Sequence, residues 1–525
     1  MSMLDDGQTR ERWGSRLGLI LAVAGNAVGL GNFLRFPVQA ASNGGGSFMV
    51  PYFIFFLILG IPLMWIEWGI GRYGGKFNHG STPGMFDVLW KNPVAKYIGA
   101  LGLVISMIIM IYYTYIESWT LAYSFFSITQ SYSGYANQDF MREFLYSFQG
   151  KEAGNSFSSI IPAYIFMLIT FCLNFWILYK GISRGIEKLA KIAIPVLFLF
   201  GLVLVVRIIL LGTPDPAHPE NNVANGFVFI WNLNFDRLNE PRIWLAAAGQ
   251  IFFTLSVGMG SIHAYASYLK PKDDIVVSGL STGLLNEFAE VGIGGSIAIP
   301  AAAAFFGIAL TTEIASAGAF DLGFVSMPLI FDKIPLGFVF GTLWFLLLFL
   351  AGITSSVAMG QPFIAFLEDE FGYSRKKATT ILGIIVLVSI QFVIFFIGYG
   401  FLDEMDYWAG TFGLVVFAFL ETVVFIWVFG SRKAWEEMNY GGDIKIPSVF
   451  FFIMKYVTPI ILFCIMMWWA VQDAIPTFLM VDVNSEKIPF IWGARLLMMS
   501  ISIGIILMIK KAWKKNSVKK SLMKK

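Results

Sequence analysis

Oxygen-bearing side chains interrupt four apolar stretches of this 525-residue sequence at similar depth. Asn26 and Asn32 lie in Gly25-Asn26-Ala27-Val28-Gly29-Leu30-Gly31-Asn32-Phe33-Leu34-Arg35-Phe36-Pro37. Thr254 and Ser256 lie in a second glycine-bearing stretch, 249–261. Asn286, Glu287 and Glu290 lie in a third, and Thr354, Ser355 and Ser356 follow Ala351-Gly352 in a fourth. Hydroxyls, amide oxygens and freed carbonyls are hard ligands for a hard cation. Few of these groups are acidic, which favours a monovalent ion over a divalent one. A single Ser or Thr more often bonds back to its own helix. Four stretches that each place such residues near mid-depth argue for a shared site instead. Glu290 has two open readings: a protonated packing element held by Gln250 or Asn286, or a carboxyl that titrates during function. Arg35 calls for a partner, and Asp406 is a candidate; Arg10 and Asp369 offer a similar pair at the other end.

Catalytic constellations are missing. Gly29-x-Gly31 lacks a third glycine at 34 and follows no strand, so it is no dinucleotide fingerprint. His79, His218 and His263 are scattered without paired metal spacing, and there is neither a Gly-x-Ser-x-Gly elbow nor a His-Glu-x-x-His. The chain reads as no enzyme. Cys172 and Cys464 fall in apolar segments and read as two small buried hydrophobes.

The elements that must position these residues are membrane helices. Hydrophobic residues make up 57% of the chain and charged ones only 14%, which excludes an ordinary soluble domain. Twelve spans are expected, near 15–42, 47–75, 94–129, 157–180, 187–212, 242–270, 277–307, 335–370, 376–400, 404–430, 448–472 and 488–512. If they alternate, Arg12, Arg16, Arg72, Lys76, Lys188, Lys191, Arg375, Arg432 and the Lys-rich tail share one side. By the positive-inside rule both termini are then cytoplasmic, in a multi-pass protein of the inner (plasma) membrane. No cleavable signal peptide is expected. Glycines weaken a helix by about 1 kcal/mol each, and broken helix survives at membrane depth only beside protein or a cavity. Spans 1 and 6 are therefore expected to be discontinuous. They enter from opposite sides, as in two inverted five-helix repeats with a site at their junction, 15–212 and 242–430. Spans 11 and 12 (448–512) and a basic tail (513–525) lie outside the repeats of what is otherwise a single domain, 1–525.

The segment Asn26 to Pro37 resembles the first-span signature of the neurotransmitter:sodium symporters. Gly249-Gln250-x-Phe252-Phe253-Thr254-Leu255-Ser256, Tyr112-Tyr113 through Glu117-Ser118-Trp119, and Ala351-Gly352-x-Thr354-Ser355-Ser356 match further family segments. The resemblance covers almost the whole chain. It implies an all-α, LeuT-type fold and a sodium-coupled amino-acid symporter working by alternating access. It also implies two Na+ ions and no organic cofactor. One sodium would meet Ala27, Asn32, Thr254, Asn286 and the substrate carboxylate. The second would meet Gly25, Val28, Ala351, Thr354 and Ser355. The substrate carboxylate would meet the amides of Leu30 and Gly31 and the Tyr113 hydroxyl. Its ammonium would meet Ala27, Phe253, Thr254 and Ser256, with Asn26 and Ser355 also at the site. Phe253 and Tyr113 would form a lid beneath Arg35 and Asp406.

Two departures from the family pattern bear on function. The side-chain pocket would include Ile109, Met259 and Met359, where the family's bacterial leucine transporter has a smaller, an aromatic and a branched aliphatic residue. Methionines fill space flexibly, which points to a neutral hydrophobic amino acid, leucine or methionine ahead of tryptophan. Chloride-dependent relatives carry a small polar residue where this chain has Glu290, so its carboxylate is expected to replace chloride. The implied partners are an amino acid and the lipid bilayer, with no nucleic acid and a homodimer left open. The competing readings are a proton-coupled or exchange amino-acid permease and an amino-acid sensor that moves no solute.

Overall fold

The computed structural model describes residues 11–134, 137–152 and 154–522. Arg10 lies outside the described residues. Among them every regular element is a helix. The first span is the pair α1 (Arg16–Ala27) and α2 (Gly31–Ser42), bent by 48°. Next come α3 (Gly46–Gly75), α4 (Ala95–Ile128), α5 (Ile161–Lys180) and α6 (Ile182–Ile209). The sixth span is divided into α7 (Pro241–Thr254) and α8 (Ser261–Ala266). The remainder are α9 (Ile275–Ala317), α10 (Gly337–Phe371), α11 (Arg375–Phe395), α12 (Phe401–Val428), α13 (Val449–Phe478) and α14 (Ile488–Lys515). Ten helices and the bent α1–α2 pair are long and apolar enough to cross a bilayer. The twelfth expected span is α7 with α8; at 14 and 6 residues neither crosses alone.

Burial separates an inner from an outer set. In α4, 83% of the apolar window is buried, against 33% in α5 and α6 and 28% in α13 and α14. The outer set leaves Trp176, Leu199, Ile460, Phe463, Leu496 and Ile503 exposed. Side chains of that kind belong against lipid tails. Cys172 and Cys464 lie on this exposed surface, not in the core as the sequence suggested. Both sit on outer helices, where an apolar run is matched to lipid rather than to a protein interior.

The breaks in spans 1 and 6 have local causes. Ser15 caps α1 by accepting from the Gly18 N–H at 3.0 Å. The helix ends where Val28 swings to ψ 91°, which turns its carbonyl off the helix path. Beyond α7, Ser256, Gly258 and Gly260 take φ of 53°, 74° and 84°. This left-handed region favours glycine. At Gly258 a Cβ would also sit 2.2 Å from the Leu414 carbonyl oxygen.

Polar contacts sort the connections onto two faces. On one, Arg16 meets Asp274 at 3.2 Å and Asp443 at 3.0 Å, Lys191 meets Glu187 at 2.7 Å, and Lys76 meets Glu437 at 2.5 Å. On the other, Arg142 meets Asp321 at 2.9 Å and Arg495 meets Glu404 at 2.6 Å. The Arg16–Asp443 pair is exposed on both sides and contributes only about 0–1 kcal/mol, whereas Arg495 and Glu404 are both buried.

Candidate functional site

The site lies where both broken spans meet α9 and α10. One terminal atom of the Asn286 side-chain amide in α9 lies 3.2 Å from the carbonyl oxygens of both Ala27 and Thr254 and 3.3 Å from the Thr254 hydroxyl. With its nitrogen there, the amide donates to both carbonyls; with its oxygen there, it accepts from the Thr254 hydroxyl and leaves the two carbonyls to a cation. Asn32 points its Nδ2 at this group, 2.8 Å from Asn286 Oδ1 and 3.1 Å from Thr254 Oγ1. Its own Oδ1 accepts from the Gly29 N–H at 2.8 Å. Ala27, Asn32, Thr254 and Asn286 are therefore together.

Glu290, fully buried, closes one side of this cluster. It accepts from Gln250 Nε2 at 2.7 Å, from Asn32 Nδ2 at 3.3 Å and, through a short contact, from the Thr254 hydroxyl. One carboxylate thus borders the first oxygen group without belonging to it.

A second oxygen group forms between α1 and α10. Ser355 Oγ lies 3.1 Å from the Gly25 carbonyl, 3.3 Å from that of Asn26 and 3.1 Å from that of Ala351. Thr354 Oγ1 lies 3.1 Å from the Ala351 carbonyl. Its Cβ also faces Gly25, where an added methyl would come within 2.9 Å. With the freed Val28 carbonyl, all five expected members of the second group belong to these two helix segments.

Between the groups, the Leu30 N–H donates to the Tyr113 hydroxyl at 3.0 Å, and Ser256 donates to the Asn26 carbonyl at 2.8 Å. Gly29 fits here because a Cβ would lie 2.8 Å from Ser355 Oγ and 2.9 Å from the Tyr113 hydroxyl. Both polar atoms of the Asn26 amide are buried without a hydrogen-bond partner. Such groups are costly unless something pairs them. Ile109, Met259 and Met359 are buried, and the Met259 carbonyl accepts from the Ser106 hydroxyl through a short contact.

The expected gate is open on one side. Phe253 floors a cavity of about 450 Å³ lined by Arg35, Tyr112, Tyr113, Asp321, Asp403 and Asp406. No ion pair joins Arg35 to Asp406 among the described residues. Arg35 lies over the Phe253 ring, 4.5 Å from its centre, while Asp406 accepts from the Tyr112 hydroxyl at 2.6 Å. The opposite side is tied across beside a separate cavity of about 350 Å³ lined by Trp13, Arg16, Leu19 and Asp274. Trp13 Nε1 donates to the Tyr265 carbonyl at 3.0 Å, their rings meet edge to face, and Gln361 bridges Tyr268 and Arg375, each at 2.7 Å. Asp369 accepts from the Gly80 N–H at 2.6 Å.

Comparison with known proteins places this geometry. The model of the sodium:neurotransmitter symporter family matches residues 10–143 and 135–515. The chain belongs to that family. Among its relatives is a sodium-dependent transporter of Methanocaldococcus jannaschii, 34% identical over 86% of this chain and 89% of the relative. The mouse sodium-dependent neutral amino acid transporter B(0)AT1 is 24% identical over 92% of this chain and 86% of its own length. The structure of MhsT in complex with L-phenylalanine superposes with a TM-score of 0.74 at 28% identity, covering 87% of this chain and 99% of MhsT. This symporter-family chain is thus a sodium-dependent, multi-pass membrane transporter with the LeuT-type fold, and not an enzyme.

Two residues of the symporter escaped the sequence reading, Glu67 and Glu421, and Tyr112, named there only within a motif, turns out to occupy Asp406. The two glutamates flank His263, fully buried, though nothing in their spacing links them. A charge in an apolar span was the available signal.

Proposed function

We propose that the protein is a sodium-coupled symporter of a neutral hydrophobic amino acid, working by alternating access with two sodium ions and without chloride. The observation that carries this reading is the convergence of the Ala27 and Thr254 carbonyls, Asn32 and the Asn286 amide at the two helix breaks, beside the Leu30 amide on the Tyr113 hydroxyl. Ala27, Asn32, Thr254 and Asn286 would hold one sodium with the substrate carboxylate. Gly25, Val28, Ala351, Thr354 and Ser355 would hold the other. No protein carboxylate belongs to the first set, so a zwitterion completing it couples ion and solute directly. A helix N-terminus carries about half a positive charge, and the start of α2 suits a carboxylate. The lone amide of Asn26, Tyr113, Ser256 and the carbonyls of Ala27, Phe253 and Thr254 would orient the rest of the zwitterion. Ile109, Met259 and Met359 would take an apolar side chain, leucine or methionine ahead of tryptophan. MhsT with L-phenylalanine and the neutral amino acid transporter B(0)AT1 support that substrate class.

Glu290 would supply the negative charge that chloride supplies elsewhere. Two sodium ions per neutral zwitterion gain about 4.6 kcal/mol per 100 mV, at about 2.3 kcal/mol per charge. At about 1.4 kcal/mol per decade this supports roughly three decades of accumulation. The face carrying both termini would be cytoplasmic, and the open cavity above Phe253 would face outward, with Arg35 and Asp406 closing over it. The paired repeats 15–212 and 242–430 would rock about the site.

Uptake of radiolabelled leucine into proteoliposomes, competed by a panel of amino acids, tests the reading. Sodium-dependent uptake that survives gluconate replacing chloride is expected. Uptake unchanged when potassium replaces sodium favours a proton-coupled or exchange permease. Absence of counterflow favours a sensor. Preference for a charged amino acid overturns the substrate class.

A further inference from the structure

Among the buried polar clusters that the transport site leaves unused is one of three titratable side chains. Glu67 of α3, His263 of α8 and Glu421 of α12 are all 0% exposed. His263 Nδ1 lies 3.3 Å from Glu67 Oε2, and His263 Nε2 lies 3.3 Å from Glu421 Oε2. One ligand-type atom from each residue lies within 4.8 Å of the other two. Glu67 Oε2, both ring nitrogens and both Glu421 oxygens have no hydrogen-bond partner of good geometry. Glu67 Oε1 is the exception: it accepts from the Gly258 N–H at 2.5 Å, inside the non-helical stretch that divides span 6.

Two carboxylates cannot both stay charged beside each other in an apolar interior without a compensating cation. The charged groups on the elements around them are committed elsewhere. Arg72 of α3 binds Glu437 and the Asp273 and Tyr440 carbonyls, and Arg16 of α1 binds Asp274 and Asp443. Lys455 of α13 lies over the Phe451 and Tyr456 rings, and the Tyr265 ring packs on Trp13. The charge must come from protons or a metal ion. The geometry distinguishes them. A metal takes one ring nitrogen, whereas here the two nitrogens face different carboxylates across the ring. Each nitrogen lies within ion-pairing distance of its carboxylate, as in an imidazolium seated between two carboxylates.

We infer that Glu67, His263 and Glu421 form a buried proton-binding site whose loading holds α8 against α3 and α12. Two protons, one completing the imidazolium and one on a carboxyl, make the trio neutral. Losing both leaves two negative charges and a neutral ring, which need water. Water reaches them only if α8 separates from its neighbours. Because Glu67 also holds Gly258, unloading loosens the stretch that follows Thr254. Proton occupancy is thereby coupled to rearrangement of the sixth span, whatever solute is moved.

The ring can be observed directly, since the chain has three histidines. Nitrogen-15 histidine NMR of the full-length protein in nanodiscs would report its protonation. The His263 signal is assigned by its loss in His263→Gln and, independently, by its survival in the double variant His79→Gln, His218→Gln. Imidazolium is expected at about pH 7 and in Glu421→Gln, which stands in for a protonated carboxyl, giving way to a neutral ring in the double variant Glu67→Gln, Glu421→Gln. The pH dependence of sodium-stimulated substrate binding should flatten in His263→Gln, with binding itself retained. A neutral ring at about pH 7 in the unsubstituted protein overturns the inference. So does a stoichiometric transition metal that copurifies with it and is absent from His263→Gln.

Discussion

Asn32 presents its amide nitrogen, not its oxygen, to the cluster of Asn286, Thr254 and Glu290. To act as a sodium ligand the amide must turn over, which breaks the 2.8 Å bond from the Gly29 N–H. Sodium binding would thus release the backbone just before Leu30, whose amide is to meet the substrate. Asn32→Ala removes both the ligand and the hinge bond. We expect it to weaken sodium stimulation of substrate binding at least tenfold, about 1.4 kcal/mol, measured by scintillation proximity across a sodium titration. Unchanged sodium dependence would make this stretch packing only. Glu290 gives a second test at this scale. Glu290→Ser replaces the carboxylate with a neutral hydroxyl, and uptake should become chloride-dependent, read as a several-fold loss in gluconate. Equal uptake in both salts would separate Glu290 from charge balance. Residues of this kind were legible in the sequence because amides and carboxylates are conspicuous inside apolar runs. The Glu67–His263–Glu421 trio was not, because its members come from three spans and meet only through packing.

At the scale of elements, the interruptions of spans 1 and 6 were readable from glycines and polar residues in otherwise apolar runs. Where each helix stops was not. That depends on backbone angles such as ψ 91° at Val28 and φ 53° at Ser256, a residue type with no special liking for positive φ. Gly258→Ala tests the second break. Its φ is 74° and the new methyl would meet the Leu414 carbonyl. The cost should exceed about 1 kcal/mol, lowering the thermal midpoint in detergent, while Gly504→Ala, inside α14 and meeting nothing within 4 Å, should leave it no lower. An unchanged midpoint would mean that the stretch tolerates a side chain. The connection between α3 and α4 is also clipped to the end of α10, by His79 Nδ1 at 2.7 Å from Glu370. Burial works against a charge on His79, but Glu370, with Asp369 and Asp87 nearby, outweighs it and holds the pKa above its ordinary value. The sign follows. The clip's stabilisation is complete below the unfolded-state pKa, about 6.5, and is lost as pH rises through the raised folded value. The difference in thermal midpoint between the unsubstituted protein and His79→Gln should therefore shrink as pH rises from about 6 to about 9. A gap that widens instead would refute the assignment.

At the scale of the whole molecule, two faces of one bundle are in different states. The side above Phe253 holds a cavity of about 450 Å³ lined by Arg35 and Asp406, which form no ion pair among the described residues. The side bearing the termini is tied by Trp13 to Tyr265 and by Arg16 to Asp274 and Asp443. Neither feature was legible in the sequence, which gives the members of a gate but not which gate is shut. The Arg16 ties are partly exposed, so they are worth about 1 kcal/mol at most. That is still enough to matter, because a shift of about 1 kcal/mol between two conformers changes their ratio about fivefold. Leu19, buried and next to Arg16 on the lining of a cavity at this face, is a suitable reporter. In a Leu19→Cys background with Cys172 and Cys464 replaced by alanine, Arg16→Ala should speed maleimide labelling up to about fivefold. Sodium should slow it again, if it favours the form that is closed on this side. Labelling that ignores both the substitution and sodium would show that these ties do not hold the closed face, and would leave the Trp13–Tyr265 contact as the element that does.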